Sequence, residues 1–217
     1  MRLIILGQPG AGKGTYSSKL GSRLKIAKIS TGDMLREQMK KRTDLGKKIS
    51  VYMNRGKLVP SEIVLETLKR RLGWLDCEKG FIIEGYPRTI EQAKSLEKIA
   101  KIDAIISIKI PRSIIVKRLA NRITCSKCGA VYNTQYLKSK KAGVCDICKG
   151  KLVRRQDDKP EVVKQRFRVY KIETRPLIDY YIRKIPFVEI AVKSIETPPE
   201  VIVEKILLEL EHLGLIK

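Results

Sequence analysis

The stretch Gly7-Gln8-Pro9-Gly10-Ala11-Gly12-Lys13-Gly14-Thr15 constrains this chain more than any other. A short apolar run, Leu3-Ile4-Ile5-Leu6, precedes it, and a helical pattern follows. A strand that ends in a glycine-rich turn and opens a helix is the setting a phosphate-binding loop needs. Glycines let the backbone close around an anion, because no side chain intervenes. Backbone N–H groups then point inward, and the helix N-terminus adds partial positive charge. Lys13 supplies a full charge for a terminal phosphate. The usual pattern places Ser or Thr directly after the Lys. Here Gly14 comes first and Thr15 second.

Strand and helix patterns alternate around this loop. Strands are expected at 27–29, 80–85, 104–110 and 187–192. Helices are expected from about Met34 to Lys41, from Asp44 to about Met53, and after Ser61, which is placed to cap its helix. Thr89 and Gln92 have the spacing of a capping box, for a helix of about a dozen residues. Further helices follow Pro111, run unbroken from Pro160 to about Tyr181, and start again at Pro198-Pro199. The alternation predicts a parallel sheet of about five strands covered on both faces. Ligands in such folds bind beyond the carboxyl ends of the strands. The glycine loop, Ser30-Thr31, Glu84-Gly85 and Pro111-Arg112 all fall there.

With 217 residues the chain holds one full core plus small insertions. No apolar run approaches the ~20 residues of a membrane span. The first residues are too short an apolar run for a secretory signal. A nucleotide-binding loop then points to the cytoplasm, and a monomer is the default expectation. The formal net charge is +23, which suits a polyanionic ligand. Much of it is dispersed in lysine runs such as Lys40-Lys41-Arg42 and Lys138-Ser139-Lys140-Lys141, which read as solvated surface.

Between 124 and 151 the periodicity disappears. Cys125, Cys128, Cys145 and Cys148 occur there in the spacing C-x2-C-x16-C-x2-C. Two such pairs are placed to converge tetrahedrally on one ion, and Gly129 and Lys149-Gly150 suit the tight turns this requires. Four thiolates leave no open position, so the ion is structural; the residues alone allow zinc or iron. Cys77 stands apart and reads as a packed or surface residue. The single His212 falls in the last helix and reads as surface. Among the arginines, Arg118 and Arg122 are four apart, the spacing of one helix face. Arg155 and Arg166 lie beyond the cysteine segment. All four converge on phosphates if that segment folds over the loop.

Taken together, these stretches resemble the adenylate kinase family, in the form whose lid carries zinc. The resemblance rests on 7–15, on Ser30-Thr-Gly-Asp-Met-Leu-Arg36, on Gly56-Lys-Leu-Val-Pro60, on Gly85-Tyr-Pro-Arg-Thr89, and on Asp157-Asp158 with Arg166. These run in order along essentially the whole chain, and Gly14 after Lys13 is the family's own variant. The resemblance implies a P-loop three-layer α/β fold with two insertions. The core would comprise 1–29, 60–121 and 158–217. A small helical insertion, 30–59, would clamp AMP, and a zinc-bearing lid, 122–157, would close over ATP.

The implied activity is reversible, Mg2+-dependent transfer of the ATP γ-phosphoryl group to AMP, giving two ADP. Gly10, Ala11, Gly12, Lys13, Gly14, Thr15, Arg118 and Arg122 would bind ATP. Thr31, Arg36, Lys57, Leu58, Val59, Gly85, Arg88, Gln92, Arg155 and Arg166 would bind AMP. Lys13, Arg88, Arg122, Arg155 and Arg166 would surround the transferring group, and Asp157 and Asp158 would hinge and brace the lid. Cys125, Cys128, Cys145 and Cys148 would hold zinc.

One position departs from the family. Glu84 stands where the family usually has Asp, and that acid would act on Mg2+ through its waters. Two other readings compete. Pyrimidine monophosphate kinases, acting on UMP or CMP, tend to carry Ala at position 31. A zinc-ribbon nucleic-acid-binding protein would account for the cysteines and the charge, though not for Arg36, Arg88 and the glycine loop together. A regulatory GTPase is disfavoured, since no Asn-Lys-x-Asp stretch is present.

Overall fold

Three of the five central strands are near-continuous apolar runs, the pattern expected where both faces of a parallel sheet are covered. The computed structural model describes residues 1–216. In chain order its elements are β1 (Arg2–Gly7), α1 (Lys13–Leu24), β2 (Ala27–Ser30), α2 (Thr31–Lys40), α3 (Asp44–Asn54), α4 (Ser61–Leu72), β3 (Phe81–Glu84), α5 (Ile90–Glu97), β4 (Ala104–Lys109) and α6 (Arg112–Ala120). There follow β5 (Arg122–Cys125), β6 (Val131–Asn133), β7 (Leu152–Val153), α7 (Pro160–Val169), α8 (Pro176–Tyr181), β8 (Phe187–Ala191) and α9 (Pro199–His212).

The main sheet has five strands in the order β2-β3-β1-β4-β8, all parallel. β1 sits in the middle, with Ile4 level with Ile83 on one side and Ile105 on the other. One face packs Leu3, Ile5, Ile106 and Val188 against α1, α6 and α9 through Leu20, Ile115 and Ile206. The other packs Ile4, Ile83 and Ile105 against Leu68 of α4, Leu96 of α5 and Tyr181 of α8. Burying each such aliphatic side chain contributes about 1.5–3 kcal/mol. Since β1 and β3 end side by side, Gly7 and Glu84 open onto the same edge. No described helix is long and apolar enough to cross a membrane.

Several local expectations change. α2 begins at Thr31, with the Ser30 hydroxyl accepting from the Asp33 N–H. Ser61 does not cap α4; it is the first helical residue, and its hydroxyl accepts from the Gln92 amide instead. The Thr89 hydroxyl does cap α5, but the Gln92 carbonyl reaches the Arg88 N–H and not that of Thr89. α5 has 8 residues, shorter than the dozen expected. Arg118 and Arg122 do not share a helix face, because α6 stops at Ala120 and Arg122 begins β5.

The 160–181 stretch is not one unbroken helix. A π-turn, Tyr170–Thr174, separates α7 from α8. Pro176 accounts for a break here, since it has no N–H and its ring crowds the carbonyl four residues back. The cysteine segment also carries strands that the sequence did not predict, a small antiparallel sheet in the order β6-β5-β7.

Candidate active site

Between β1 and α1 the chain turns through Gly10 and Gly12, whose φ values of 82° and 95° lie in the left-handed region. Only glycine takes that conformation without cost. Lys13 opens α1 and curls back, its Nζ donating to Gly7 O at 2.7 Å and Gln8 O at 2.9 Å. The cleft above the loop is lined by Gly10, Gly12, Lys13, Gly14, Thr15, Arg36, Lys57, Leu58, Glu84, Gly85, Arg88, Arg122, Arg155, Asp157 and Arg166, among others. These come from strand ends, from the α3–α4 connection and from both sides of the cysteine segment. Ala11, Thr31, Val59 and Gln92 stand behind this surface and are buried.

The cations fall into two groups. Arg36, Arg122, Arg155 and Arg166 each have a carboxylate partner. Arg36 pairs with Asp33 at 2.6 Å and lies 3.7 Å from Asp157. Arg155 lies 3.6 Å from Asp33. Arg166 meets Asp157 at 3.1 Å and Asp158 at 3.3 Å. Arg122 makes a two-pronged contact with Asp158, its Nε at 2.7 Å. Burial alone would raise the Asp33 and Asp157 carboxyls, but the adjacent guanidiniums hold both below the usual carboxylate range.

Lys13 and Arg88 form the second group. Among the described residues neither has a carboxylate within 4.0 Å. Arg88 Nε donates to Gly85 O at 2.8 Å, and its N–H to Gln92 Oε1 at 2.8 Å. Exclusion of water pushes the Lys13 ammonium down to about 7; Glu84 opposes the drop, and Arg88, Arg166 and Arg122 add to it. Loss of water, with Arg166 beside it, likewise lowers Arg88 to about 10. A cleft that crowds cations together and leaves two of them uncompensated is built for an anion.

Glu84 projects into this cleft. A Cβ placed on Gly14 would lie 3.1 Å from its Oε2, so the glycine after Lys13 makes room for the carboxylate. Among the described residues no hydrogen bond or salt bridge occupies that carboxylate. An unpaired hard oxygen donor beside a phosphate loop fits a hydrated Mg2+.

A second pocket adjoins the loop on its other side. It shares Gly10, Gly12, Thr15 and Arg122 with the first, and adds Arg118, Tyr132, Asn133, Tyr136, Leu137, Ile195 and Thr197. Arg118 Nη1 lies 3.3 Å from both Ala11 O and the Tyr16 hydroxyl. Asn133 Nδ2 donates to Arg118 O at 3.1 Å. The aromatic and aliphatic lining suits a flat base next to the phosphate loop. Tyr132, Tyr136, Leu137 and Ile195 escape sequence reading, because neither the cysteine segment nor the loop before α9 has a period that tells facing from turned-away residues.

The four cysteine sulfurs lie within 4.8 Å of one another. Cys125 and Cys148 are 3.4 Å apart, and Cys128 and Cys145 are 3.6 Å apart. A tetrahedral zinc with bonds of about 2.3 Å sets its sulfurs about 3.8 Å apart, so the donor set fits. Backbone N–H groups of Lys127 and Cys128 point at the Cys125 sulfur, where they would stabilise the negative charge of a thiolate. A Cβ on Gly150 would sit 2.8 Å from the Cys125 sulfur, so only glycine lets the second knuckle close on the first. Cys77 is buried beside Arg71, outside this cluster, and His212 is exposed.

The cysteine-bearing segment leans on α2. Lys40 donates to Ser126 O, and the Arg155–Asp33 and Arg36–Asp157 pairs span the same gap. From this side Arg122, Val131, Arg155 and Asp157 reach the cleft lining.

Comparison with known proteins agrees with this geometry. The family described as "Adenylate kinase" matches residues 5–185. A protein named adenylate kinase from Caldicellulosiruptor saccharolyticus is 52% identical over 189 residues, 85% of this chain and 88% of its own. One of the same name from Archaeoglobus fulgidus is 51% identical over 189 residues, covering 85% and 87%. Another, from Thermotoga maritima, is 49% identical over 188 residues, covering 84% and 86%. A basic cleft around a phosphate loop, a four-thiolate cluster above it and relatives at half identity agree: the chain belongs to the adenylate kinase family.

Proposed function

We propose that this chain transfers the γ-phosphoryl group of ATP to AMP, reversibly and with Mg2+, giving two ADP. One observation carries the reading best. Lys13 and Arg88, which follow the adjacent strands β1 and β3 and line one cleft, are crowded cations without a carboxylate partner. Two anionic groups brought between them satisfy both.

Transfer needs no general base, because an AMP phosphate oxygen is already an anionic nucleophile. That oxygen bonds to the γ-phosphorus as the bond to the β-bridging oxygen breaks, and ADP leaves with the electron pair. What remains is alignment, charge neutralisation and exclusion of water. Lys13 and the backbone N–H groups of Gly10 to Thr15 hold the donor phosphates. Arg88 and Arg36 hold the acceptor phosphate, and Arg122, Arg155 and Arg166 converge on the group in flight. Arg118 and the apolar second pocket take the ATP base. Thr31, Lys57, Leu58, Val59, Gly85 and Gln92 shape the AMP side. The Gln92 amide is occupied by Arg88 N and Ser61 Oγ, so it positions Arg88. Bound Mg2+ supplies further charge neutralisation at the phosphates, with Glu84 and Thr15 as the residues that would hold it through water.

We read 30–59 as the AMP clamp and 122–157 as the cover, with Asp157 and Asp158 bracing it through Arg166 and Arg122. Zinc on the four cysteines orders the cover and takes no part in transfer. Free thiolates gathered for a metal suit a reducing compartment, which supports the cytoplasm. The cleft is complete within one chain, so a monomer suffices. Nucleic acid is bound, if at all, through charge alone.

The test is an acceptor panel of AMP, UMP, CMP and GMP with ATP and Mg2+, read as ADP formed. AMP is expected to be strongly preferred. Faster turnover of UMP or CMP would contradict the assignment.

A further inference from the structure

The π-turn between α7 and α8 lies against the acceptor half of the cleft. Arg166, Val169, Tyr170 and Thr174 line that cleft along one face of the helix. Glu173 is exposed and turned away. What departs from an α-helix is the absence of Glu173 from that face. Seven residues make two α-helical turns at 3.6 residues each, so in an unbroken helix Glu173 would stand directly along the axis from Arg166. The hydrogen bond from Arg175 N–H to Tyr170 O, at 2.8 Å, spans five residues. That is one residue more than an α-turn, so the chain is under-wound across Tyr170–Thr174 and Glu173 is carried off the cleft face. Thr174 thereby takes the place that Glu173 would have had.

The substitution matters because of what shares the cleft with it. Met53, Lys57 and Leu58 from the α3–α4 side, and Pro87 and Arg88 from the β3 loop, line the same cleft. A carboxylate in this position would pair with Lys57 or Arg88 and compete with an incoming phosphate. The Thr174 hydroxyl is neutral and short, and among the described residues no hydrogen bond occupies it.

We propose that the π-turn Tyr170–Thr174 is a specificity device of the acceptor half of the cleft, holding Thr174 in and Glu173 out so that the basic wall is left to the acceptor phosphate. Thr174 is a positioning residue, not a catalytic one. The inference rests on the reading that a nucleoside monophosphate is the acceptor.

The test compares T174E, T174Q and E173Q in the full chain, with KM for AMP, KM for ATP and kcat read at low and high salt. T174E is expected to raise KM for AMP about tenfold or more, since like charges set side by side are costly. KM for ATP should stay within about twofold, and the effect should shrink as salt screens it. T174Q, similar in shape but neutral, should change KM for AMP less than about threefold, and E173Q should change nothing. If T174E matches T174Q, or if E173Q itself lowers KM for AMP several-fold, the register does not act and the inference fails. Should T174E not fold, the E173Q result still decides, because a Glu173 that faces the cleft must show itself there. Failure of the wild-type chain to use AMP at all would instead overturn the acceptor reading.

Discussion

The central sheet and the cysteine-bearing segment are both ordered, but by different means. β1, β3 and β4 bury Leu3, Ile4, Ile5, Ile82, Ile83, Ile105 and Ile106 almost completely, within clusters that reach all nine of the helices α1 to α9. The cysteine segment buries only Cys125, Tyr132, Cys145 and Leu152 in a cluster of its own, and two of these belong to the four-cysteine group. Apolar burial cannot offset the chain entropy of some thirty residues with so little core. The sheet therefore makes a fixed floor carrying Lys13, Glu84 and Arg88. The segment, proposed above as a cover, is held against α2 by ion pairs and would take its order from a metal on its four cysteines. The active cleft lies where the two meet, so changes to floor and cover should act differently.

The largest effect on chemistry is expected in the floor. Lys13→Ala should lower transfer about a thousandfold or more. Stability should hold or rise, because the variant no longer keeps a poorly hydrated cation in place. Melting and turnover measured on one preparation check this, and near-normal turnover of folded protein would refute the phosphate role.

The cover should respond in the opposite way. Cys145→Ser removes a buried ligand, so about one metal ion per chain should be lost. The melting temperature should fall, with turnover reduced through poor closure. Metal analysis and calorimetry on reduced protein check it; full metal content in the variant would contradict a four-cysteine site.

A smaller effect follows from protonation in the floor. Lys13 holds its proton more weakly folded than unfolded, at about 7 against 10.5. Between those values the unfolded chain binds the extra proton, so this group's cost to stability is full below about 7 and is relieved as pH rises towards 10.5. Phosphate binding restores the charge. An ATP analogue bound at about pH 8 should therefore take up at most about one proton, and Lys13→Ala should abolish the uptake. Calorimetry in buffers of different ionisation enthalpy reads it directly, and proton release on binding would contradict the sign.

The smallest effect is local. Thr89→Ala removes the α5 cap beside Arg88 and should cost about 1 kcal/mol, seen as a lower denaturation midpoint with the metal retained.

The same contrast explains what could be read in advance. β1, β3 and β4 are legible because runs such as Leu3-Ile4-Ile5-Leu6 and Ala104-Ile105-Ile106 have one reading in a parallel sheet. The phosphate loop is legible because its glycines and Lys13 stand at the end of such a run. In the cover only the ligands are legible. β5, β6 and β7 hold four residues or fewer each, too short for an alternation of sequence to announce them. Arg122 was expected on a helix for a related reason, since nothing local announces that α6 ends at Ala120. Gln92 was expected to close its own helix end; tertiary contact with Arg88 and Ser61 redirects it. Pro176 did signal a break after Pro160, but not that the break would be a wider turn that exchanges Glu173 for Thr174.

Amide hydrogen exchange of the intact chain, with and without a strong chelator, tests most directly whether floor and cover are ordered separately. The N–H groups of Cys125, Cys145 and Leu152, bonded within the cover, should lose their protection when the metal is withdrawn, while those of β1 and β4 keep theirs. Protection lost together in both regions, or retained in both, would contradict a cover ordered by its metal over a sheet ordered by its core.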